Sequence, residues 1–313
     1  MNNTLTAEAQ PASGFYKTPE LQARPHASYD RTLAFWPVAY EEAWMETAFG
    51  RSHFIISGSE NAPAVILIPG LFADATMWYA NVGPLAEHYR VYCPDMITYG
   101  GKSEPGGQQV ETIEDYRTWF RQILDHFGHD QVTVGGLSYG SWLALALARE
   151  MPETIEAVIM LDPSETFVKM DGGIAWKGFW NFVFFPSRTK YTRFMNWLSG
   201  GYSDPQCDVW GEHMIDVIEY GSVGMFDIPQ HRIYHREDLE KVTMPVLVVA
   251  GGKPIVYKDP HELAAAARTA LPQAQVEIVP DTGHSLNVEK ADEVNAIMLQ
   301  FLQTARSQEP STP

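Results

Sequence analysis

Cysteine is nearly missing from this chain: Cys93 and Cys207 are the only two in 313 residues, and Cys93 falls in a stretch read as a buried strand. A disulfide framework is therefore not expected, and a reducing cytoplasm is the simplest setting. Positive charge is also scarce, with 22 Lys and Arg against 39 Asp and Glu, a formal charge of −17. Such a surface repels nucleic acid and anionic membranes and disfavours a strongly anionic substrate. No apolar run approaches the roughly 20 residues that span a bilayer. The opening stretch, Met1 to Glu8, has neither a basic n-region nor an apolar core, so a cleaved secretion signal is not expected. Repeats and low-complexity tracts are missing too. His126/His129 and His231/His235 have spacings open to a metal, but neither pair has further ligands at zinc-like intervals. Solvated or capping histidines are the simpler reading, and no metal or cofactor is expected.

What is present is an ordinary globular composition, 45% hydrophobic, in a chain long enough for one large core or two modest ones. Residues 1–27 are polar and punctuated by proline, and read as an extended or disordered arm. From Tyr29 to Trp44 the apolar pattern is interrupted by Pro37, which suggests a short helix across the domain edge. Glu46 to Ser57 alternates around Gly50-Arg51, as a hairpin would. Val65 to Ile68 is a continuous apolar run ending in Pro69-Gly70, which predicts a parallel strand buried on both faces. Short apolar strands and amphipathic segments then alternate: strands at Val91–Cys93, Gln131–Val134 and Ala157–Leu161, helices over about 112–126 and 139–150. The alternation resumes with a strand at Val246–Ala250, a helix over 261–271, a strand at Val276–Val279 and a helix over 291–305. That pattern predicts an α/β fold with a mostly parallel sheet flanked by helices. The core is expected over 28–163 and 240–305, with 306–313 as a frayed tail. Residues 164–239 break the alternation; they are rich in Trp and Phe and poor in strand character. A helical cap over the C-terminal ends of the strands is expected there, with most of its aromatics packing it down.

One stretch organises the rest. Gly136-Leu137-Ser138-Tyr139-Gly140 follows a strand and opens a helix, the G-x-S-x-G pattern of a nucleophile elbow. A serine held in strained backbone needs neighbours without side chains, and its hydroxyl then projects at a helix N-terminus that favours developing negative charge. A solvated serine on a Gly-rich turn is the competing reading, and the strand and helix on either side weigh against it. Serine is a poor nucleophile without a base, and the base needs a third group to orient it. Of ten histidines, only His284 sits on a Gly turn after the final strand, in Pro280-Asp281-Thr282-Gly283-His284.

With these residues in place the chain resembles the α/β-hydrolase superfamily from about Tyr29 to Phe301. Carrying the resemblance are the elbow, Leu67-Ile68-Pro69-Gly70-Leu71-Phe72 with Trp78 downstream, Pro94-Asp95 through Gly100-Gly101-Lys102-Ser103, and Gly283-His284. It looks most like capped bacterial carboxylesterase-like members. The resemblance implies an oxyanion hole made of the backbone amides of Leu71 and Tyr139, with Pro69 standing where the family usually has His. It also implies an acid after the penultimate strand, but that turn reads Gly251-Gly252-Lys253-Pro254, and proline cannot accept a bond from imidazole. An alternative within the superfamily places the acid one strand after the nucleophile's own. That position is Asp162, in Leu161-Asp162-Pro163, wording similar to lipases that use this arrangement. Asp259 and Glu165 remain alternatives, as does Asp162 acting only as a helix cap.

The expected activity is therefore hydrolysis of a neutral, moderately apolar carboxylic ester, with Ser138 as nucleophile, His284 as base and Asp162 as its partner. A small-molecule ester is the expected partner, without nucleic acid or membrane insertion. An amide, a lactone or a carbon–carbon bond could be cleaved by the same residues, and a non-catalytic small-molecule sensor of this fold is the reading from another class.

Overall fold

A computed structural model describes residues 15–16, 18–106, 108–178, 180–181, 186–221 and 228–307. The apolar runs become the centre of one sheet. β1 (Tyr40–Thr47) and β2 (Gly50–Ser57) form an antiparallel hairpin, and β2 pairs with β4 (Arg90–Pro94). From β4 the sheet continues in parallel through β3 (Ala64–Ile68), β6 (Val132–Leu137), β7 (Ile155–Leu161), β8 (Val246–Gly251) and β9 (Gln275–Val279). The short β5 (Glu104–Pro105) pairs beside β2. Along β3, Ile66 and Ile68 enter one buried cluster while Val65 and Leu67 enter the other. Side chains that alternate between two covered faces are why these strands read as unbroken apolar runs.

Four connecting helices fall where the amphipathic segments predict them, α3 (Ile113–Phe127), α4 (Tyr139–Glu150), α8 (Pro260–Ala270) and α10 (Ala291–Ser307); the short α2 (Val82–Ala86) and the one-turn α9 (Leu286–Glu289) join them. α3 has clean boundaries. Thr112 and Asp115 form a reciprocal capping box, and Gly128, at φ 73°, ends the helix in the left-handed region.

Two expectations for the N-terminal part are corrected. The arm expected through residue 27 is helical from Pro19 onward, as the first part of α1 (Pro19–Leu33), while residues 1–14 and 17 lie outside the described residues. Proline inside a helix costs about 3 kcal/mol, which is why Pro25 reads as a breaker. The helix forms because Thr18 accepts from the Leu21 amide at 3.3 Å and Pro19 takes the first position, where its missing N–H is no loss. Its buried face, Pro25, Ser28, Tyr29, Thr32 and Leu33, then offsets the cost. The hairpin also begins six residues earlier than its alternation suggests, because Tyr40–Met45 extend a strand where a helix was expected.

Between β7 and β8 the chain leaves the sheet for α5 (Gly172–Gly178), α6 (Arg188–Leu198) and α7 (Pro205–Tyr220). Phe179, Phe182, Phe184 and Phe185 of this excursion lie outside the described residues, as do 308–313 of the expected tail. α1 packs along α7. The join is ionic: Asp216 of α7, 1% exposed, receives the half-exposed Arg24 of α1 at 3.1 Å and also Arg188 of α6 at 2.6 Å. Beside it, His213 Nε2 lies 2.5 Å from Asp74 and its Nδ1 lies 2.8 Å from the Ser28 hydroxyl. Asp74 in turn caps the 3-10 turn Ala75–Trp78 by accepting from the Thr76 amide. One sealed polar chain thus ties α1, α7 and the loop after β3 together.

Burial pushes the Asp74 carboxyl up, but His213 and the Thr76 bonds outweigh it and hold the group below its ordinary value. A depressed carboxyl contributes stability that is complete above the unfolded value, about 3.9, and is lost as pH falls through the folded value. Asp74→Asn should lower the unfolding free energy by about 3–5 kcal/mol near neutral pH. In urea titrations followed by circular dichroism, that deficit should shrink at pH values below about 4.

Candidate active site

The elbow is built by close approach. A Cβ on Gly136 would sit 2.3 Å from the carbonyl carbon of Gly140, and one on Gly140 would sit 2.3 Å from the Ile68 oxygen. With no room on either flank, the chain turns through Ser138 at φ 57°, ψ −118°. That backbone is strained for a residue with a Cβ, and the neighbouring hydrogen bonds hold it. The Ser138 amide donates to Leu161 O at 2.9 Å, and the Ser141 hydroxyl donates to Gly136 O at 2.6 Å. Ser138 is half-buried and occupies the N-cap of α4 without capping it by side chain. Its hydroxyl is thus left out of the scaffold's own bonding at the helix's positive end.

Asp162 stands at the end of the neighbouring strand, also strained at φ 40°. One carboxylate oxygen accepts from the Gly251 amide at 3.1 Å, and the other lies 2.5 Å from His284 Nδ1. Asp162 and His284 are both buried, at 3% and 7% exposure. The His284 loop is held by its backbone as well. The Gly283 and Ser285 amides donate to the two carboxylate oxygens of Glu289, at 2.6 and 3.1 Å, and the His284 amide donates to Leu198 O at 2.9 Å. Among the described residues, His284 Nε2 has no hydrogen-bond partner. Bound at Nδ1 by a carboxylate, the ring has Nε2 available to take up and return a proton.

The other acids considered from sequence are engaged elsewhere. Asp259 is exposed and caps α8 by accepting from the His261 amide at 2.8 Å. Glu165 faces His231, at 3.8 Å. Pro254, in the place the family pattern gives to the acid, is exposed, while Lys253 beside it reaches Gly200 O at 3.0 Å. The Pro69-Gly70 turn lies against the elbow: a Cβ on Gly70 would be 3.6 Å from the Ser138 Cβ. Tyr99 donates to Pro69 O at 3.1 Å, so a hydroxyl anchors this turn where a histidine could have. The Tyr139 amide opens α4 and has no acceptor within it. Among the described residues the Leu71 amide has no backbone acceptor either. Glu289 escaped the sequence reading; its signal is the five-residue step from His284, which one turn of helix folds back onto the loop.

A serine, a histidine and an aspartate in hydrogen-bonded sequence do not by themselves make a site. Ser28, His213 and Asp74 stand so, but all three are 0–1% exposed and meet no solvent. The elbow differs in its half-exposed serine and strained turn. Gly140→Ala should therefore damage the rim more than an ordinary small-to-large change. We expect a loss of at least about 1–3 kcal/mol of stability in urea unfolding, since the obstructing atoms are backbone.

The comparisons agree with this architecture. A profile of the alpha/beta hydrolase family matches residues 65–297. The chain is 27% identical over 289 residues to a Bacillus subtilis (strain 168) protein described as an uncharacterized carboxylesterase, nap, covering 89% of this chain and 92% of that one. It is 26% identical over 295 residues to carboxylesterase YbfK of the same organism, with 89% and 93% covered. The crystal structure of naproxen esterase (carboxylesterase NP) from Bacillus subtilis superposes with a TM-score of 0.82 at 25% identity, covering 90% of this chain and 98% of that one. With the family profile spanning the sheet from β3 to α10 and the elbow at its centre, the chain belongs to the alpha/beta hydrolase family.

Proposed function

We propose that the chain is a carboxylic ester hydrolase working through an acyl-enzyme. His284 Nε2 removes the proton as Ser138 Oγ attacks the ester carbonyl, and Asp162 steadies the imidazolium that forms. The amides of Leu71 and Tyr139 receive the oxyanion of the tetrahedral intermediate. His284 returns its proton to the departing alcohol, then activates the water that releases the acid. The sequence of steps asks for no metal or cofactor. The observation that carries this reading is the 2.5 Å contact between His284 Nδ1 and the buried Asp162, at the same rim of the sheet as a strained, uncapped serine. Similarity over nine-tenths of the chain to proteins named carboxylesterases supports the bond type.

In this reading α5–α7 serve as the cap, and residues 28–163 with 240–305 serve as the core. Support for that division comes from the backbone bond between His284 and Leu198, which joins the end of α6 to the loop of the base. The aromatic content of the excursion and the acidic chain favour a neutral, moderately apolar ester. Both thiols are free and buried, in keeping with a reducing cytoplasm. No helix among the described residues is long and apolar enough to cross a membrane.

Hydrolysis of p-nitrophenyl esters graded by acyl length tests the proposal. Wild type should turn over with a preference along the series and should be labelled at Ser138 by a fluorophosphonate. Ser138→Ala should lose both, and Asp162→Asn should lower kcat by about 10⁴ with its circular dichroism unchanged. Failure of the wild type on every ester, with no labelling, would refute it, and near-normal turnover by Asp162→Asn would remove Asp162 from its role.

A further inference from the structure

We propose that Glu289 is a positioning residue for His284: it clamps both sides of the loop that carries the base and adds a second negative charge near it. The inference rests on the triad reading above. Three successive amides hold this loop. Gly283 and Ser285 donate to Glu289, on Oε2 at 2.6 Å and Oε1 at 3.1 Å, and His284 between them donates the other way, to Leu198 O at 2.9 Å. The imidazole is thereby fixed at its own Cα from two sides, and Asp162 needs only to fix the ring.

The chemistry of the clamp calls for a carboxylate. Two N–H groups converge on one side chain, so that side chain must offer two acceptors, and only an ionised carboxylate does so without presenting a donor. Glutamine could satisfy one amide but would turn an NH₂ toward the other. A tenth exposed at most, the group has been brought out of water at a cost that a purely packing position would not incur. Burial pushes its carboxyl above the usual range, while the two amides, Lys253 and His284 pull the other way. No ion pair forms at Glu289 among the described residues; Lys253, its nearest counter-charge, spends its ammonium on Gly200 O. The charge of Glu289 is also felt in the excursion by Tyr202, raised chiefly by its bond to Asp204, and by Cys207, raised chiefly by burial. Charged groups tied to His284 or its loop include Asp162 at the end of β7, which bonds the ring, Glu289 of α9 and Lys253, whose backbone amide bonds Thr282 O. The excursion meets the backbone of this loop through Leu198 and Gly200.

A carboxylate near an imidazole favours the protonated ring, so its removal should lower the pH at which the base becomes active. In steady-state hydrolysis of a short-chain p-nitrophenyl ester, Glu289→Gln should cut kcat about tenfold with KM unchanged. It should also move the acid limb of kcat/KM downward by about half a pH unit or more. Glu289→Asp, which keeps the charge but shortens the reach, should lower kcat and leave the limb in place. A Glu289→Gln enzyme with the limb unmoved, or with its loss confined to KM, would overturn the proposal. If that variant does not fold, wild-type kcat in Glu289→Asp would overturn it instead. The triad reading is tested separately by fluorophosphonate labelling of wild-type Ser138. A wild type that neither labels nor turns over removes both claims, whereas a labelled, active wild type beside an insensitive Glu289→Gln removes this one alone.

Discussion

The rim of the sheet depends on one contact, the 2.5 Å approach of Asp162 to His284. It joins residues 122 positions apart, from strands that are not neighbours: β8 lies between β7 and β9. The intervening strand must therefore let the two reach each other. Gly251, which ends β8, does this in two ways. Its amide donates to the second oxygen of Asp162, and its missing Cβ leaves room for the His284 loop, whose Gly283 oxygen would lie 2.3 Å from such an atom. The Gly251-Gly252 turn looks like a relic of an acid turn when read against the family pattern. In space it is the gap through which the Asp162 carboxylate, at the end of β7, reaches His284 after β9.

That arrangement explains why the excursion between β7 and β8 cannot be an independent appendage. It leaves the sheet where β7 ends, at Asp162 itself, so its first residues run on directly from the contact. Its helices then fasten to the core at places that matter to the rim. Leu198 O receives the amide of His284, Gly200 O receives the ammonium of Lys253, and Pro229 O receives the hydroxyl of Tyr139, next to Ser138. At the far end the buried Asp216 of α7 receives Arg24 of α1 and Arg188 of α6, and His213 meets the buried Asp74. A buried carboxylate that loses its partner is costly, so these contacts favour one seating for the helices. A displaced α6 would take with it an acceptor of the His284 backbone.

How much of this is legible in the chain follows from how local each constraint is. The elbow is legible because its cause is contained in five residues: Gly136 and Gly140 are required by atoms of their own turn and of the adjacent strand end. The parallel strands are legible because burial on both faces forces continuous apolar runs, and α3 because its caps lie within its own sequence. Failures occur where a distant partner decides. Pro25 is a poor helix residue locally, and α1 forms around it because its buried face meets α7, some 190 residues later. Phe179 and the aromatics around it carry composition but no address, and no periodicity in them says which face a helix would turn inward.

The acid shows the boundary most clearly. Sequence spacing can place Asp162 at the end of a strand and can disqualify Pro254 on chemical grounds, since proline has no side-chain acceptor. It cannot say that Asp259 spends its oxygen on a cap or that Glu165 turns toward His231, because those choices depend on local backbone bonds and on a histidine in the excursion. Glu289 was missed for a related reason. A glutamate in a short amphipathic turn reads as solvated surface, and only the fold reveals two amides with no other acceptor in reach. Charged residues at the start of a helix that follows a histidine loop therefore merit the same scrutiny as the loop itself. The fold can return such a side chain over the preceding turn, and a carboxylate returned to a buried loop has been placed there against its solvation.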